Sequence, residues 1–199
     1  HGSRLDSSVF CRFAYAQAKY TSLPPMTVAT HTAFDIIVVG AGHAGCEAAL
    51  ASARMGCETL LISIDWDRTA SMPCSPSIGG IAKGQIVREL DALGGEMARA
   101  ADASAIQYRT LNTSKGPAVQ STRTQNDKWR YAATMRRALE DQHRLHVRQA
   151  LVERLVVDGD MVRGVVDQTG CVHTAAAVVL ASGTFLEGRV HIGDTSYPA

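Results

Sequence analysis

The apolar run Asp35-Ile36-Ile37-Val38-Val39 leads without a break into Gly40-Ala41-Gly42-His43-Ala44-Gly45, a turn of the form G-x-G-x-x-G. Directly after a strand and at the head of a helix, that pattern admits few folds. Gly40 permits the tight turn, Gly42 lets the backbone approach a pyrophosphate, and Gly45 permits close packing of helix on strand. The helix N-terminus adds unpaired N–H groups and partial positive charge, which suit the phosphates of a dinucleotide. A purely structural turn is the bland alternative. Ala44 to Met55 then carries small and apolar residues at helical spacing and stops at Gly56, a natural C-cap. Thr59 to Ile64 restores strand character, so the segment reads as a βαβ unit of an α/β fold with a parallel sheet.

The acid that binds a ribose in such units stands at the end of the second strand. Ser63 and Ile64 occupy that end here, with Asp65 and Asp67 just beyond. Asp65 is therefore a candidate ribose ligand, and simple solvation of both acids is the alternative. Ser71 to Gly84 holds two prolines and three glycines, which predicts a shaped loop, continued by a helix over Ile81 to Leu93. Asp127 to Gln142 places Trp129, Ala132, Ala133, Arg136 and Leu139 on one helical stripe, predicted to be the packed face. Leu151 to Val157, Met161 to Val166 and Cys171 to Leu180 read as strands joined by tight turns at Asp158-Gly159-Asp160 and Gln168-Thr169-Gly170.

With 199 residues and 46% hydrophobic content the chain can bury a core. A net charge of +1, from 20 basic and 19 acidic residues, excludes a general polyanion-binding surface and leaves only a local one. Cys11, Cys46, Cys57, Cys74 and Cys171 are odd in number and contain no C-x-x-C pair, which argues against a disulfide framework and a zinc site and favours a reducing compartment. No apolar run approaches the roughly 20 residues that span a bilayer, so no membrane association is expected. Residues 1–33 read as an extension outside the fold, expected to be disordered: either an organellar presequence, being basic and Ser-rich, or sequence upstream of a natural start at Met26. The ending at Ser196-Tyr197-Pro198-Ala199, with no helix or cap after the last strand, reads as a C-terminal truncation.

The strand-like meander followed by Val178-Val179-Leu180-Ala181-Ser182-Gly183-Thr184 resembles the glutathione-reductase type of FAD fold, where an apolar strand ends in a small-residue turn beside the cofactor. An ordinary buried strand with a glycine turn is the plainer reading. The segments FDIIVVGAGHAGCEAA, PSIGGIAKGQIVRELDALGGEMA, IQYRTLNTSKGPAV and SGTFLEGRVHIG resemble successive signatures of the MnmG (GidA) family, from about Phe34 onward. The resemblance implies a Rossmann-like, FAD-binding domain over residues 34–199, from an enzyme that modifies the wobble uridine of tRNA. It further implies an MnmE-type GTPase partner, which helps install an aminomethyl or carboxymethylaminomethyl group at C5 of the uridine. Methylenetetrahydrofolate is the implied one-carbon donor, NADH the reductant, a homodimer the assembly and the cytoplasm the location, or the mitochondrion if residues 1–33 are a presequence.

Carried over residue by residue, the family's phosphate loop falls on Gly40, Ala41, Gly42, His43, Ala44 and Gly45, and a backbone contact to the adenine end falls on Val152, which core packing explains equally well. Ser182 and Gly183 are the expected second contact. The family's Cys-Asn-Pro-Ala-Ile-Gly-Gly loop stands here as Cys74-Ser75-Pro76-Ser77-Ile78-Gly79-Gly80, with Ser in place of Asn and of Ala. Cys74 is a candidate nucleophile toward uridine C6, with Lys83 and glycine N–H groups nearby in sequence. Equally, it is a small buried hydrophobe. Cys46 and Cys57 are expected to be structural. Lys115-Gly116-Pro117 and Arg123 read as charges on a long irregular loop suited to phosphate or folate carboxylate, or else solvated surface. His43 is expected to matter through its backbone. His143, Arg144, His146 and Arg148 read as exposed residues with no third metal ligand.

Two other readings remain open on the residues: a different flavoprotein of this fold, such as a folate-dependent tRNA methyltransferase, or a nucleotide-binding module without catalysis. The C-x-x-x-x-C pair of disulfide reductases is absent from the sequence.

Overall fold

The computed structural model describes residues 33–198. Expectations for Cys11 and the rest of the extension lie outside the described residues. The first strand, β1 (Phe34–Val39), is followed by α1 (His43–Arg54) and β2 (Thr59–Ser63), the βαβ order read from the glycine turn. Next come β3 (Ser77–Gly79), α2 (Lys83–Ala92), α3 (Met97–Ser104), β4 (Ala105–Leu111) and β5 (Ser121–Asn126). After α4 (Lys128–Glu140) the chain adds β6 (Leu145–Gln149), β7 (Val152–Asp158), β8 (Met161–Asp167), β9 (Val172–Leu180) and the hairpin β10 (Arg189–Ile192) with β11 (Thr195–Pro198).

The main sheet runs β6-β2-β1-β9-β8-β7. Its β6-β2-β1-β9 part is parallel, and β9, β8 and β7 form the antiparallel meander. Alternation along the strands divides the core in two. Val38 and Leu61 face one cluster with α1, α3 and α4, built around Cys46, Leu50, Ala100, Tyr131, Met135 and Leu139. Ile37, Leu60 and Ile62 face the other, where Val165 and Ala175 of the meander pack on them. This is a Rossmann-type α/β fold of the FAD-binding kind, with helices on one side of the parallel sheet and the meander on the other.

The helix stripe expected on α4 is displaced. Tyr131, Ala132, Met135 and Leu139 are its buried residues, while Trp129 is 74% exposed. Asp127 fixes the start of this helix by accepting hydrogen bonds from the Trp129 and Arg130 N–H groups at 2.9 and 3.1 Å. Trp129 therefore sits in the first turn, beyond the edge of the sheet-facing stripe. Glu47 of α1 serves α3 in the same way, accepting from Met97 N–H at 2.6 Å and Glu96 N–H at 3.0 Å. The loop expected over Ser71 to Gly84 contains β3, which pairs with β5 in a second, three-stranded sheet of order β3-β5-β4. Arg123 accordingly lies on a strand, and only residues 112–120 form the irregular connection. No described helix is long and apolar enough to cross a membrane.

Candidate functional site

The three motif glycines meet three different demands. Gly40 has φ +101°, and a Cβ there would lie 2.4 Å from the Ala181 carbonyl oxygen. A Cβ on Gly45 would lie 1.7 Å from the Gly40 oxygen. Gly42, by contrast, has φ −70° and ψ −179°, and a Cβ there would meet nothing within 4 Å. The fold itself requires the outer two glycines; the middle one leaves open space over the turn. Above that space stands the start of α1, with no side-chain cap and no acid in its first turn. Its first intrahelical bond is Cys46 N–H to the Gly42 oxygen at 2.9 Å, so the N–H groups of His43, Ala44 and Gly45 precede it. Uncapped N–H groups beside an unfilled backbone turn fit a pyrophosphate.

The turn after β9 closes the same site. Ala181 N–H donates to the Val39 oxygen at 2.8 Å, which continues the β1–β9 pairing past the strand ends. The Gly40 Cβ position lies 3.5 Å from Ser182 N, so Ser182 is brought against the motif, with Gly183 next along at φ +60°. From the other side, Ala70 N–H donates to the Ala41 oxygen at 2.9 Å. The segment that carries Cys74 thus departs from the glycine turn, and Cys74 is an exposed free thiol in it.

His43 opens α1, and its ring is more engaged than a loop residue's. It packs 5.6 Å from the Tyr131 ring. Burial lowers the His43 pKa and so favours the neutral imidazole. Its Nε2 and the Tyr131 hydroxyl are both buried without a hydrogen-bond partner among the described residues. Cys46 is buried, and burial with the nearby Glu47 charge pushes its thiol up to about 12, which makes it inert.

Other candidates are placed elsewhere. Asp65 caps the short 3₁₀ turn Trp66–Arg68, accepting from Asp67 N–H at 3.0 Å, so one carboxylate oxygen is already engaged. The Val152 side chain packs against the sheet-and-meander core, the plainer of its two readings. Lys115 is exposed in the β4–β5 connection, and Lys83 is exposed at the head of α2. Tyr131 carried no sequence signal as a neighbour of the motif.

Asp167, Cys171 and His173 bring one ligand atom each to within 4.8 Å of one another. Asp167 is fully buried, yet its carboxylate already accepts from Thr169 N–H, Thr169 Oγ1 and Cys171 N–H. His173 Nε2 lies 3.0 Å and Arg148 Nη2 3.1 Å from its second oxygen. A guanidinium therefore stands where a metal would bring its charge, and the cluster is a satisfied polar network. Burial acts to raise the Asp167 carboxyl, but hydrogen bonds from Thr169 and His173 and from two backbone N–H groups outweigh it. They hold the group well below the usual carboxylate range.

A family model described as "Glucose inhibited division protein A" matches residues 35–199. The tRNA uridine 5-carboxymethylaminomethyl modification enzyme MnmG of Syntrophobacter fumaroxidans is 61% identical over 166 residues, 83% of this chain and 26% of that protein. The structure of Aquifex aeolicus GidA superposes with a TM-score of 0.79 at 49% identity, covering 82% of this chain and 27% of that one. The flavin-dependent brominase Bmp2 shares the fold alone, at 23% identity and a TM-score of 0.55 over 78% of this chain and 40% of that one. The chain spans about a quarter of the length of the curated relatives it matches.

Proposed function

The chain belongs to the glucose inhibited division protein A family, and from that premise we propose that it forms the FAD-binding part of an enzyme that modifies the wobble uridine of tRNA. The observation that carries this reading is the open space over Gly42 beside the uncapped start of α1, flanked by Ser182. Gly40 to Gly45 would hold the FAD pyrophosphate through backbone N–H groups, and Ser182 and Gly183 would border the cofactor on the β9 side. Bound FAD would supply two-electron redox chemistry at a carbon centre. The chain's own residues would orient it and present Cys74 from the loop that starts at the glycine turn.

In this reading the complete enzyme works with an MnmE-type GTPase and installs an aminomethyl or carboxymethylaminomethyl group at uridine C5. Methylenetetrahydrofolate donates the one-carbon unit and NADH reduces the flavin. The enzyme is a cytoplasmic homodimer. The relative named above for tRNA uridine modification supports the substrate and the product. Two measurements test the proposal: flavin absorbance of the purified full-length protein, and mass spectrometry of tRNA nucleosides from cells lacking the gene. A colourless protein, or an unaltered wobble nucleoside with no second enzyme to make it, would overturn it.

A further inference from the structure

The sheet β3-β5-β4 has two unlike faces. Ile78, Thr122, Thr124 and Tyr108 line the cleft beneath α2 and α3. Successive residues of a strand point to opposite sides, so the intervening residues form the other face. Strand register arranges those residues in rows. Gly79, Arg123 and Arg109 are mutual neighbours in one row, and Ser77, Gln125 and Gln107 in the next. Both arginines are exposed. No acidic residue stands in either row.

Like charges directly opposite on an antiparallel pair repel each other. Nothing within the described chain relieves the repulsion between Arg109 and Arg123. Arg123 donates to Ser77 Oγ at 3.2 Å and Ser75 Oγ at 3.4 Å, both neutral hydroxyls. Arg109 has no hydrogen bond or ion pair among the described residues. The molecule as a whole is nearly neutral, with a net charge of +1, so the positive character here is local. A pair of unneutralised guanidiniums on an open face, with amide and hydroxyl groups in the adjoining row, matches what positions a nucleic-acid backbone.

We propose that this sheet face binds the phosphate backbone of RNA, with Arg109 and Arg123 each neutralising a phosphate and Ser77, Gln107 and Gln125 donating uncharged hydrogen bonds beside them. The inference rests on the tRNA reading above and gives it a location. Through Ser75 and Ser77 the same arginine row touches the loop that carries Cys74, so phosphates held on this face bring an RNA strand up to that thiol.

The test uses full-length protein with Arg109→Gln and Arg123→Gln, and Arg163→Gln on the meander as a charge-matched control. Equilibrium binding of tRNA is measured across a salt series, with flavin absorbance followed in parallel. Each of the two variants should lower affinity about fivefold near 0.15 M salt and reduce the slope of log K against log salt by about 0.7–0.9, the value of one lost phosphate contact. Arg163→Gln should change neither, and flavin content should hold throughout. Unchanged affinity and slope in Arg109→Gln, whose side chain bonds nothing among the described residues, overturn the inference while leaving the tRNA reading intact. Loss of flavin in that variant also overturns it, by assigning the anion to the cofactor. If unaltered protein binds no tRNA, the proposed function falls and takes this inference with it.

Discussion

The Cβ that Gly45 lacks would stand 1.7 Å from the carbonyl oxygen of Gly40. Helix α1 lies on the glycine turn at a distance that no other residue permits. Gly42, two residues beyond Gly40, has an ordinary extended conformation with open space at its Cβ position. One motif therefore contains two glycines that the fold requires and one that it does not.

This separation gives the first prediction. Gly45→Ala forces the helix off the turn and should cost about 3 kcal/mol or more, the upper range for overpacking. Gly42→Val should cost the flavin-free protein only about 1 kcal/mol, the usual cost at a helix N-cap, while flavin retention in full-length protein is lost. Thermal denaturation and flavin absorbance on both variants check it. A folded Gly42→Val protein with full flavin occupancy would exclude the turn as the pyrophosphate site.

The second concerns acid stability. The Asp167 carboxyl titrates below its ordinary range in the folded chain, so the unfolded chain takes up its proton first as pH falls. Its contribution is fully present above about pH 4, the unfolded value, and is lost on descending toward the folded one. Asp167→Asn should destabilise the chain at neutral pH by about 3 kcal/mol, as expected for removing one member of a buried pair. It should also flatten the loss of stability below about pH 4. Urea denaturation at a series of pH values reads both, and an unchanged acid limb would contradict the role given to this group.

Much of the fold was legible in the sequence because β2, the centre of β1 and the second half of β9 are apolar runs, with β2 buried throughout, and Gly56, Gly159 and Gly170 mark where elements end. The second sheet was not. Gln107-Tyr108-Arg109-Thr110 and Ser121 to Asn126 are polar on both faces, since one side meets only the cleft under α2 and α3 and the other meets solvent. Without an apolar period, nothing distinguished Arg123 on a strand from Arg123 on a loop. On α4 the helical spacing was right and its phase was wrong: a stripe through Trp129 and one through Tyr131 share the same period, and only the position of the sheet selects Tyr131. Asp65 shows a different limit. A carboxylate just after β2 serves a ribose or a capping bond equally well by position, and the structure gives one of its oxygens to Asp67 N–H.

The third prediction uses the Tyr131 hydroxyl, buried next to His43 without a hydrogen-bond partner among the described residues. An unsatisfied buried hydroxyl costs free energy that its removal recovers. Tyr131→Phe keeps the ring contact with His43 and should hold or raise stability, by up to about 1 kcal/mol. A melting temperature several degrees lower would show that the hydroxyl has a partner after all.

The last prediction concerns Cys74, whose exposure removes the packing explanation for it. Exposed substitutions away from caps and ion pairs usually change stability by less than about 0.5 kcal/mol, so Cys74→Ala and Cys74→Ser should both fold and retain flavin. The loop departs beside the glycine turn, where Ala70 N–H donates to the Ala41 oxygen. In the proposed reaction the Cys74 thiolate adds to uridine C6. The S–C6 bond forms as the C5–C6 double-bond electrons move to C5 and form the new bond to the methylene carbon of the one-carbon donor, whose iminium electrons return to nitrogen. Loss of the C5 proton then restores the C5–C6 double bond and expels the thiolate. A hydroxyl is a far weaker nucleophile than a thiolate, and a methyl group is none at all. Both variants of the full-length protein should therefore lose most tRNA modification with unchanged flavin content and melting temperature. Near-normal turnover in a folded, flavin-loaded Cys74→Ala protein eliminates the nucleophile, whereas loss of flavin along with activity reassigns the loop to cofactor binding.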